Sequence, residues 1–572
     1  MRKNDQIELT IVDQDDHGNG IGKLDGFPFF VQHAVTGDRV RAVITKLKKN
    51  YGYAKTLKVT EPSPFRRTAP CAECRRCGGC QLQEMDYTAQ LDFKYRKVRS
   101  CLERIGGFRD IESVMEPVVP SDREFRYRNK AQFPVARMKD GSIAAGFYAG
   151  RTHDIIPVKD CMLVPESFSL IVERVLTWMR QNDIEPYDEK TGSGCVRHIF
   201  IRCSEMTGEH YICLVINEHD LPDEAVKDRL ISSLKDAVPV CGIALNINRS
   251  RGNVILGDRI KVLYGDGFMT DSIGDVKYSI SPLSFYQVNH GQTEKLYSLV
   301  KEFAGITGSG NKSSGNEGCG TVFDVYCGSG TIGLYLAKDF GELCGIEIVP
   351  DAVRDAEANA CLNGIQNARF ITGSAEEKLP GLVAEKGHAD VIILDPPRKG
   401  CDKVTLDAVV KAAPDRIVYV SCDPATLSRD LKYLYGSGYE PVRVRPVDMF
   451  PETVHVETCV LLVRESISDD DMVSIKVDLD GISLDQGRYV PPAKPTYKNI
   501  KQWILDKYGF NVSTLYISQI KDKIGLEKRK NYNPGSGEGK VPVCPPEKEE
   551  AIMDAFWHFN LISINGSANY RT

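Results

Sequence analysis

Residues 7 to 60 alternate apolar and polar positions in short runs, IELTIV, FPFFVQ, DRVRAVITKL and YGYAKTLKV, separated by Gly-rich turns. A period of two broken by frequent turns predicts a small β-barrel. The period then lengthens: Leu91, Tyr95, Val98, Leu102 and Ile105 recur at helical spacing, flanked by Lys94, Arg96, Lys97, Arg99 and Arg104. Residues 123 to 280 read as mixed α+β, with strand candidates GCVRHIFIRCS, HYICLVI and GIALNIN. From about 281 to 465, Ile- and Val-rich runs stopped by Pro or Gly, such as VIIL and IVYVS, alternate with helical stretches. That is the pattern of buried parallel strands in an α/β sheet. A Gly/Ser/Asn-rich stretch at 305 to 320 reads as a surface insertion, and the VPPAKP stretch that follows the acidic run Asp469, Asp470 and Asp471 reads as a linker. Three helical patterns close the chain. The expected organisation is a β-barrel at 1–62, a central α+β domain at 63–280, a Rossmann-like α/β domain at 281–465, a linker at 466–495 and a small helical C-terminal extension at 496–572.

At 572 residues the chain is too long for one core. Its 42% hydrophobic and 26% charged content are those of a soluble protein. The N-terminus lacks the apolar stretch of a signal peptide and no run approaches a membrane span, so a cytoplasmic protein without a membrane partner is expected, as a monomer. Eighteen cysteines there mean thiols, thiolates or metal ligands rather than disulfides. Net charge is only -5, yet nine Lys or Arg fall between Arg39 and Arg67 against one acid, Glu61. Interleaved with Tyr51, Tyr53 and Phe65, they suit phosphate contact with base stacking. The basic flank of the helical stretch near Lys94 is open to RNA or solvent. Lys521, Lys523, Lys528, Arg529 and Lys530 hint at RNA in the tail, where a solvated helical face is equally compatible.

TVFDVYCGSGTIGLYLA runs from strand to Gly-rich loop to helix, placing Asp324, Gly328 and Gly330 where a backbone turns beside a ligand. The next strand, CGIEIVP, ends in Glu347, an acid able to hold two ribose hydroxyls. A dinucleotide would satisfy that logic, but Cys-Gly-Ser-Gly-Thr fits S-adenosylmethionine better. Asp395 follows one later strand and Cys422 another, and ligands bind beyond the carboxyl ends of such strands. Amine methyltransferases place a stacking aromatic after Asp-Pro-Pro; Arg398 stands there, which points to chemistry at another atom. Carbon 5 of uracil is such an atom. Methylating it needs a thiolate added at carbon 6 and a carboxylate to remove the carbon 5 proton afterwards. Cys422 and Glu457 suit those two roles, and Asp395 could bond the uracil or the donor's ammonium.

In order, SFYQVN, DVYCGSGTIGL, GIEIV, LDPPRKG, VSCDP and HVETCVLL resemble the RNA 5-methyluridine methyltransferase family, which modifies transfer and 23S ribosomal RNA; the resemblance covers about residues 1 to 465. GNGIGKLDGFPFFVQHAVTGDRV resembles a TRAM domain, an OB-like RNA-binding module. The family resemblance implies a class I methyltransferase fold, Cys422 as nucleophile, Glu457 as base, and Gln287, Tyr326, Glu347 and Asp395 in S-adenosylmethionine binding, with Thr331 and Ser374 at further donor-lining positions. It also implies that the helix near residues 88 to 110 packs on the catalytic domain.

CAECRRCGGC holds Cys71, Cys74, Cys77 and Cys80. By spacing alone such a cluster binds zinc or iron-sulfur, zinc being the usual choice. The resemblance to ribosomal-RNA members implies instead a structural [4Fe-4S] cluster on Cys71, Cys77, Cys80 and the distant Cys161, with Cys74 outside the pattern. It favours 23S ribosomal RNA as substrate over transfer RNA. A cytosine-5 methyltransferase and a catalytically inactive RNA-binding assembly factor are the competing readings.

Overall fold

The computed structural model describes residues 1–150, 152–305, 320–464, 497–510, 512–523 and 544–558. The interior of the expected insertion at 305–320, the linker at 466–495 with its acidic run, and Lys528, Arg529 and Lys530 lie outside the described residues. The chain forms two units, divided after residue 468.

In the first unit, β1 (Gln6–Gln14), β2 (Gly20–Leu24), β3 (Phe27–Gln32), β4 (Arg39–Leu47) and β5 (Gly52–Glu61) close into a barrel in the order β1-β2-β3-β5-β4. Its inward positions, including Leu9, Phe29, Val31, Val40 and Ile44, are the apolar members of the alternating runs. Outward lie Arg41, Lys46, Lys48, Lys49, Lys55 and Lys58. Phe30, Tyr51 and Tyr53 form an aromatic group there, with ring centroids 5.6 to 5.7 Å apart. The sequence reading also placed Arg66 and Arg67 in this basic patch, but both are internal struts: Arg66 pairs with Asp38 and Glu84, Arg67 with Glu124 and Glu452.

A second sheet contains β6 (Lys130–Arg137), β7 (Ile143–Tyr148), β8 (Ile155–Pro157), β9 (Val196–Cys203), β10 (His210–Ile216), β11 (Val240–Ile247) and β12 (Arg259–Gly265), in the order β12-β11-β10-β9-β6-β7-β8. The helices Glu166–Gln181 and Glu224–Lys235 cover one face with Phe168, Ile171, Val175, Trp178 and Leu230. A hairpin, β13 (Met269–Ile273) and β14 (Val276–Ile280), leads into the third sheet. This hairpin packs on the helix Pro350–Leu362, where Asn359 and Asn363 accept from the Ser279 and Lys277 amides.

The third sheet comprises β15 (Thr321–Val325), β16 (Glu342–Glu347), β17 (Ala368–Thr372), β18 (Val391–Leu394), β19 (Arg416–Ser421), β20 (Tyr439–Val447) and β21 (Glu457–Arg464). Its order is β17-β16-β15-β18-β19-β21-β20. The first five in sequence run parallel; β15, β18 and β19 are largely buried, whereas the edge strand β17 exposes Arg369 and Thr372, and β21 runs antiparallel to β19 and β20. The chain reverses direction across the sheet on either side of β15 and β18, which opens a crevice at their carboxyl ends.

The helix Tyr87–Cys101 buries Val98, and Leu102 after it, in the core beneath this sheet, as the resemblance implied. Two of its sequence expectations fail. Lys94, expected on the polar flank, is fully buried and ion-paired with Asp448. Ile105, expected in the apolar stripe, is 42% exposed, because residues 102 to 106 form a π turn that shifts the phase of the stripe.

The second unit is three helices, Tyr497–Tyr508, Thr514–Lys523 and Pro546–His558, around Ile500, Ile504, Ile517, Ile520, Ile552 and Phe556. Lys523 pairs with Glu549, and Lys521 lies over the Phe556 ring at 6.0 Å.

Candidate active site

Sheet register brings the two chemistry-bearing side chains together. β19 ends at Ser421, which pairs with Thr458 of antiparallel β21. Cys422, one residue on, and Glu457, one residue back, therefore leave adjacent strands at the same edge. Both line a cavity of about 590 Å³ together with Phe285, Gln287, Arg398, Phe450 and His455. The Asp423 side chain caps the helix Pro424–Tyr435, accepting from the amides of Ala425 and Thr426, so Cys422 sits in a fixed turn.

Electrostatics tie the group together. Burial, Glu457 and Asp395 push the Cys422 thiol up to about 11, and Arg398 opposes them. Burial and then Asp395 push Glu457 up to about 8, again against Arg398. Burial alone raises Asp395 to about 7. His455 is held down to about 4 by burial and by Arg398. Arg398, His455 and Phe285 are residues the sequence reading did not assign to the site. Their signals were proximity, since Phe285 lies two positions before Gln287 and His455 two before Glu457.

At the neighbouring strand ends, Gly328 and Gly330 turn with φ of 56° and 76°. A Cβ on Gly328 would meet nothing within 4 Å, so the space above the loop is open. Glu347 accepts from the Gly328 amide at 3.0 Å and the Val349 amide at 2.8 Å, which fixes its carboxylate at the rim and leaves lone pairs for hydroxyls. Asp324 accepts from the Gly333 amide at 2.9 Å, while its Oδ1 is buried without a partner; burial raises it to about 7. Tyr326 adopts a left-handed φ of 70°, and its amide donates to Ile346. The Thr331 hydroxyl accepts from Tyr297 at 2.7 Å, whereas Ser374 Oγ is buried without a partner.

Cys71, Cys74, Cys77, Cys80 and Cys161 line the same cavity. After burial, Cys80 is raised by Cys161 and Cys77, and Cys161 by Cys77 and Cys71, so these four thiols face one another. Cys74 is raised by burial, then by Glu84, and also by Cys71 and Cys77, so it borders the same group. No three of the described sulfurs come within 4.8 Å of one another.

Residues 86–465 match the family described as tRNA (Uracil-5-)-methyltransferase, and residues 2–57 match the TRAM domain. An RNA methyltransferase of Halalkalibacterium halodurans is 44% identical over 463 residues, 81% of this chain and 98% of the relative. One from Clostridium acetobutylicum is 44% identical over 81% of this chain and 98% of its own. The crystal structure of Pyrococcus abyssi tRNA (uracil-54, C5)-methyltransferase in complex with S-adenosyl-L-homocysteine superposes with a TM-score of 0.62 at 29% identity, covering 80% of this chain and 99% of that one. Among the described residues no helix is long and apolar enough to cross a membrane. By sequence and by fold, this chain belongs to the tRNA (uracil-5-)-methyltransferase family of RNA-modifying enzymes.

Proposed function

We propose that the protein methylates carbon 5 of a uridine in 23S ribosomal RNA, with Cys422 as nucleophile and Glu457 as base. The observation that carries the mechanism is the β19–β21 register, which puts a thiol and a carboxyl at one strand edge in one cavity. Cys422 gives its proton to solvent, the thiolate Sγ bonds to carbon 6, and the electrons of the 5,6 double bond move onto the carbonyl oxygen at carbon 4 as an enolate. S-adenosylmethionine, when bound at Glu347, Tyr326 and Asp395 with Gln287 alongside, supplies the methyl group that carbon 5 accepts. Glu457 then removes the carbon 5 proton; the electrons re-form the 5,6 double bond and expel the thiolate. A buried carboxylate raised to about 8 is a stronger base than an exposed one, which suits that step.

Cys71, Cys77, Cys80 and Cys161 would hold a [4Fe-4S] cluster, whose contribution is to clamp residues 71–83 against the segment around Cys161. The resemblance of the Cys71, Cys77, Cys80 and Cys161 pattern to that of ribosomal-RNA members supports iron-sulfur over zinc, and the ribosomal branch over a transfer-RNA substrate such as the one named for the Pyrococcus enzyme. RNA carrying 5-fluorouridine tests the mechanism. Fluorine cannot leave as a proton, so wild-type protein should form a covalent adduct through Cys422 with 23S transcript in preference to tRNA. Absence of any adduct would remove the proposal, and adducts on tRNA alone would move it to the other branch.

A further inference from the structure

Five cations lie between residues 123 and 137, and three of them meet an acid: Arg123 pairs with Glu205, Arg126 with Asp160 and Arg137 with Glu185. Arg128 and Lys130 pair with none among the described residues. These two line the cavity that holds Cys422 and Glu457. Exposure does not explain the difference, since both are half-buried.

The surroundings add positive charge. Lys130 lies opposite Arg202 across the β6–β9 ladder; Arg202 donates to the carbonyls of Ser281 and Ser284, at 3.2 and 2.9 Å, and forms no ion pair among the described residues. Arg128 donates Nε to the Lys130 carbonyl at 3.0 Å, which leaves its terminal nitrogens for something else. The backbone carrying both is rigid. The Arg128 amide donates to Leu163 and the Asn129 amide to Val288, each at 2.8 Å. Asn129 Nδ2 donates to the Gln287 carbonyl at 3.1 Å, tying this segment to the site.

Burial, Arg202 and Arg128 push Lys130 down to about 7, so without an anion nearby its charge is held at a cost. The two cations suit an anion that arrives from outside, and a nucleotide turned out of its helix brings one within a few ångströms of its base. Arg128 is near enough to His455 to lower it, after burial, Arg398, Lys97 and Lys94, and both cations line the cavity that also holds Cys422. We propose that Arg128 and Lys130 form a binding site for one backbone phosphate adjoining the target nucleotide, which holds the strand while the base reaches Cys422. The inference rests on the catalytic reading of Cys422 and Glu457 only for which end of the cavity takes the base.

The test combines Arg128→Gln and Lys130→Met in one protein and measures binding to 23S transcript against salt. The slope of log K on log salt should shrink by about 0.7 to 0.9, one phosphate's worth, while thermal unfolding of the free protein comes no earlier than in wild type. The charge-keeping pair Arg128→Lys and Lys130→Arg should retain the wild-type slope. On a hairpin around the uridine mapped by fluorouridine trapping, a neutral methylphosphonate at one flanking linkage should weaken wild-type binding about tenfold and leave the double variant indifferent. An unchanged slope, earlier unfolding of the double variant, or equal sensitivity of both proteins to every linkage would overturn the site. Failure of wild type to form the Cys422 adduct strikes the catalytic reading instead and leaves the salt result standing.

Discussion

The side-chain amide of Gln90 grips Glu452 at two points: Nε2 donates to Glu452 Oε1 at 3.2 Å, and Oε1 accepts from the Glu452 amide at 3.0 Å. Arg67 Nη2 donates to the same carboxylate at 2.5 Å, and the Glu452 carbonyl accepts from the amides of Gln81 and Leu82. Glu452 needs this support because its φ is 70°, a left-handed conformation costly for a residue with a side chain. Five residues later the chain reaches Glu457. The segment just after Cys80 and the helix Tyr87–Cys101 thus set the path of the loop that delivers the proposed base.

Gln90→Ala should therefore damage both the fold and the chemistry. It strips the buried Glu452 amide of its acceptor, and the carbonyls of Leu82 and Met85 lose a donor as well. A loss of about 2 to 4 kcal/mol is expected by denaturant unfolding. Methylation kinetics should show kcat falling more than KM rises, since the loop places the base rather than the RNA. A stable variant with an unaltered kcat would show that the grip is dispensable.

Lys94 and Asp448 make a second fastening, with Lys94 also donating to the Phe450 carbonyl at 3.0 Å. Both are fully buried, so removing one partner strands the other's charge. Lys94→Met alone should cost about 3 to 5 kcal/mol, and adding Asp448→Leu should recover most of it. Equal unfolding midpoints for the single and double variants would contradict this.

The βαβ succession, the closed barrel and the strand-end placing of Glu347, Asp395 and Cys422 were legible because each rests on short-range periodicity and on turn residues, whereas the meeting of Glu457 with Cys422 depends on the antiparallel β19–β21 register. Lys94 was not, because helical spacing assigns a lysine to the wet face unless a distant acid is known, and Asp448 lies more than 350 positions away. Ile105 was misplaced because the π turn breaks the 3.6-residue period that the reading assumed. Arg66 and Arg67 read as RNA contacts because their partners Asp38, Glu84, Glu124 and Glu452 are scattered through the chain. Arg398 was read only as a missing aromatic; its influence on both Cys422 and Glu457 emerges only when three strand ends meet.

The family resemblance leaves Cys74 outside the ligand set although it adjoins Cys71 and Cys77, a distinction that iron analysis can test. Cys161→Ser should abolish bound iron and its visible absorbance in protein purified without air. Cys74→Ser, whose thiol faces Glu84 rather than Cys161, should retain both. Zinc in place of iron in the wild-type protein, or iron lost equally from both variants, would break the assignment.

Glu457→Gln separates the two halves of the chemistry and carries a pH signature. With ordinary RNA the variant can still add Cys422 to carbon 6 and accept the methyl group. It cannot take the carbon 5 proton, so a protein–RNA adduct should accumulate where the wild type releases product. Burial and Asp395 raise the carboxyl to about 8 in the folded protein, against about 4.3 unfolded. Below the lower value both states are protonated and the group costs the fold nothing. As pH rises through the window to about 8, the unfolded state ionises first and native stability falls, by about 5 kcal/mol at most. The neutral amide escapes that loss. Glu457→Gln should therefore unfold later than wild type at pH 8 to 9 and alongside it near pH 4, as read by thermal melts across pH. An unfolding difference independent of pH would mean that Glu457 is already ionised throughout this range and is no raised, buried base.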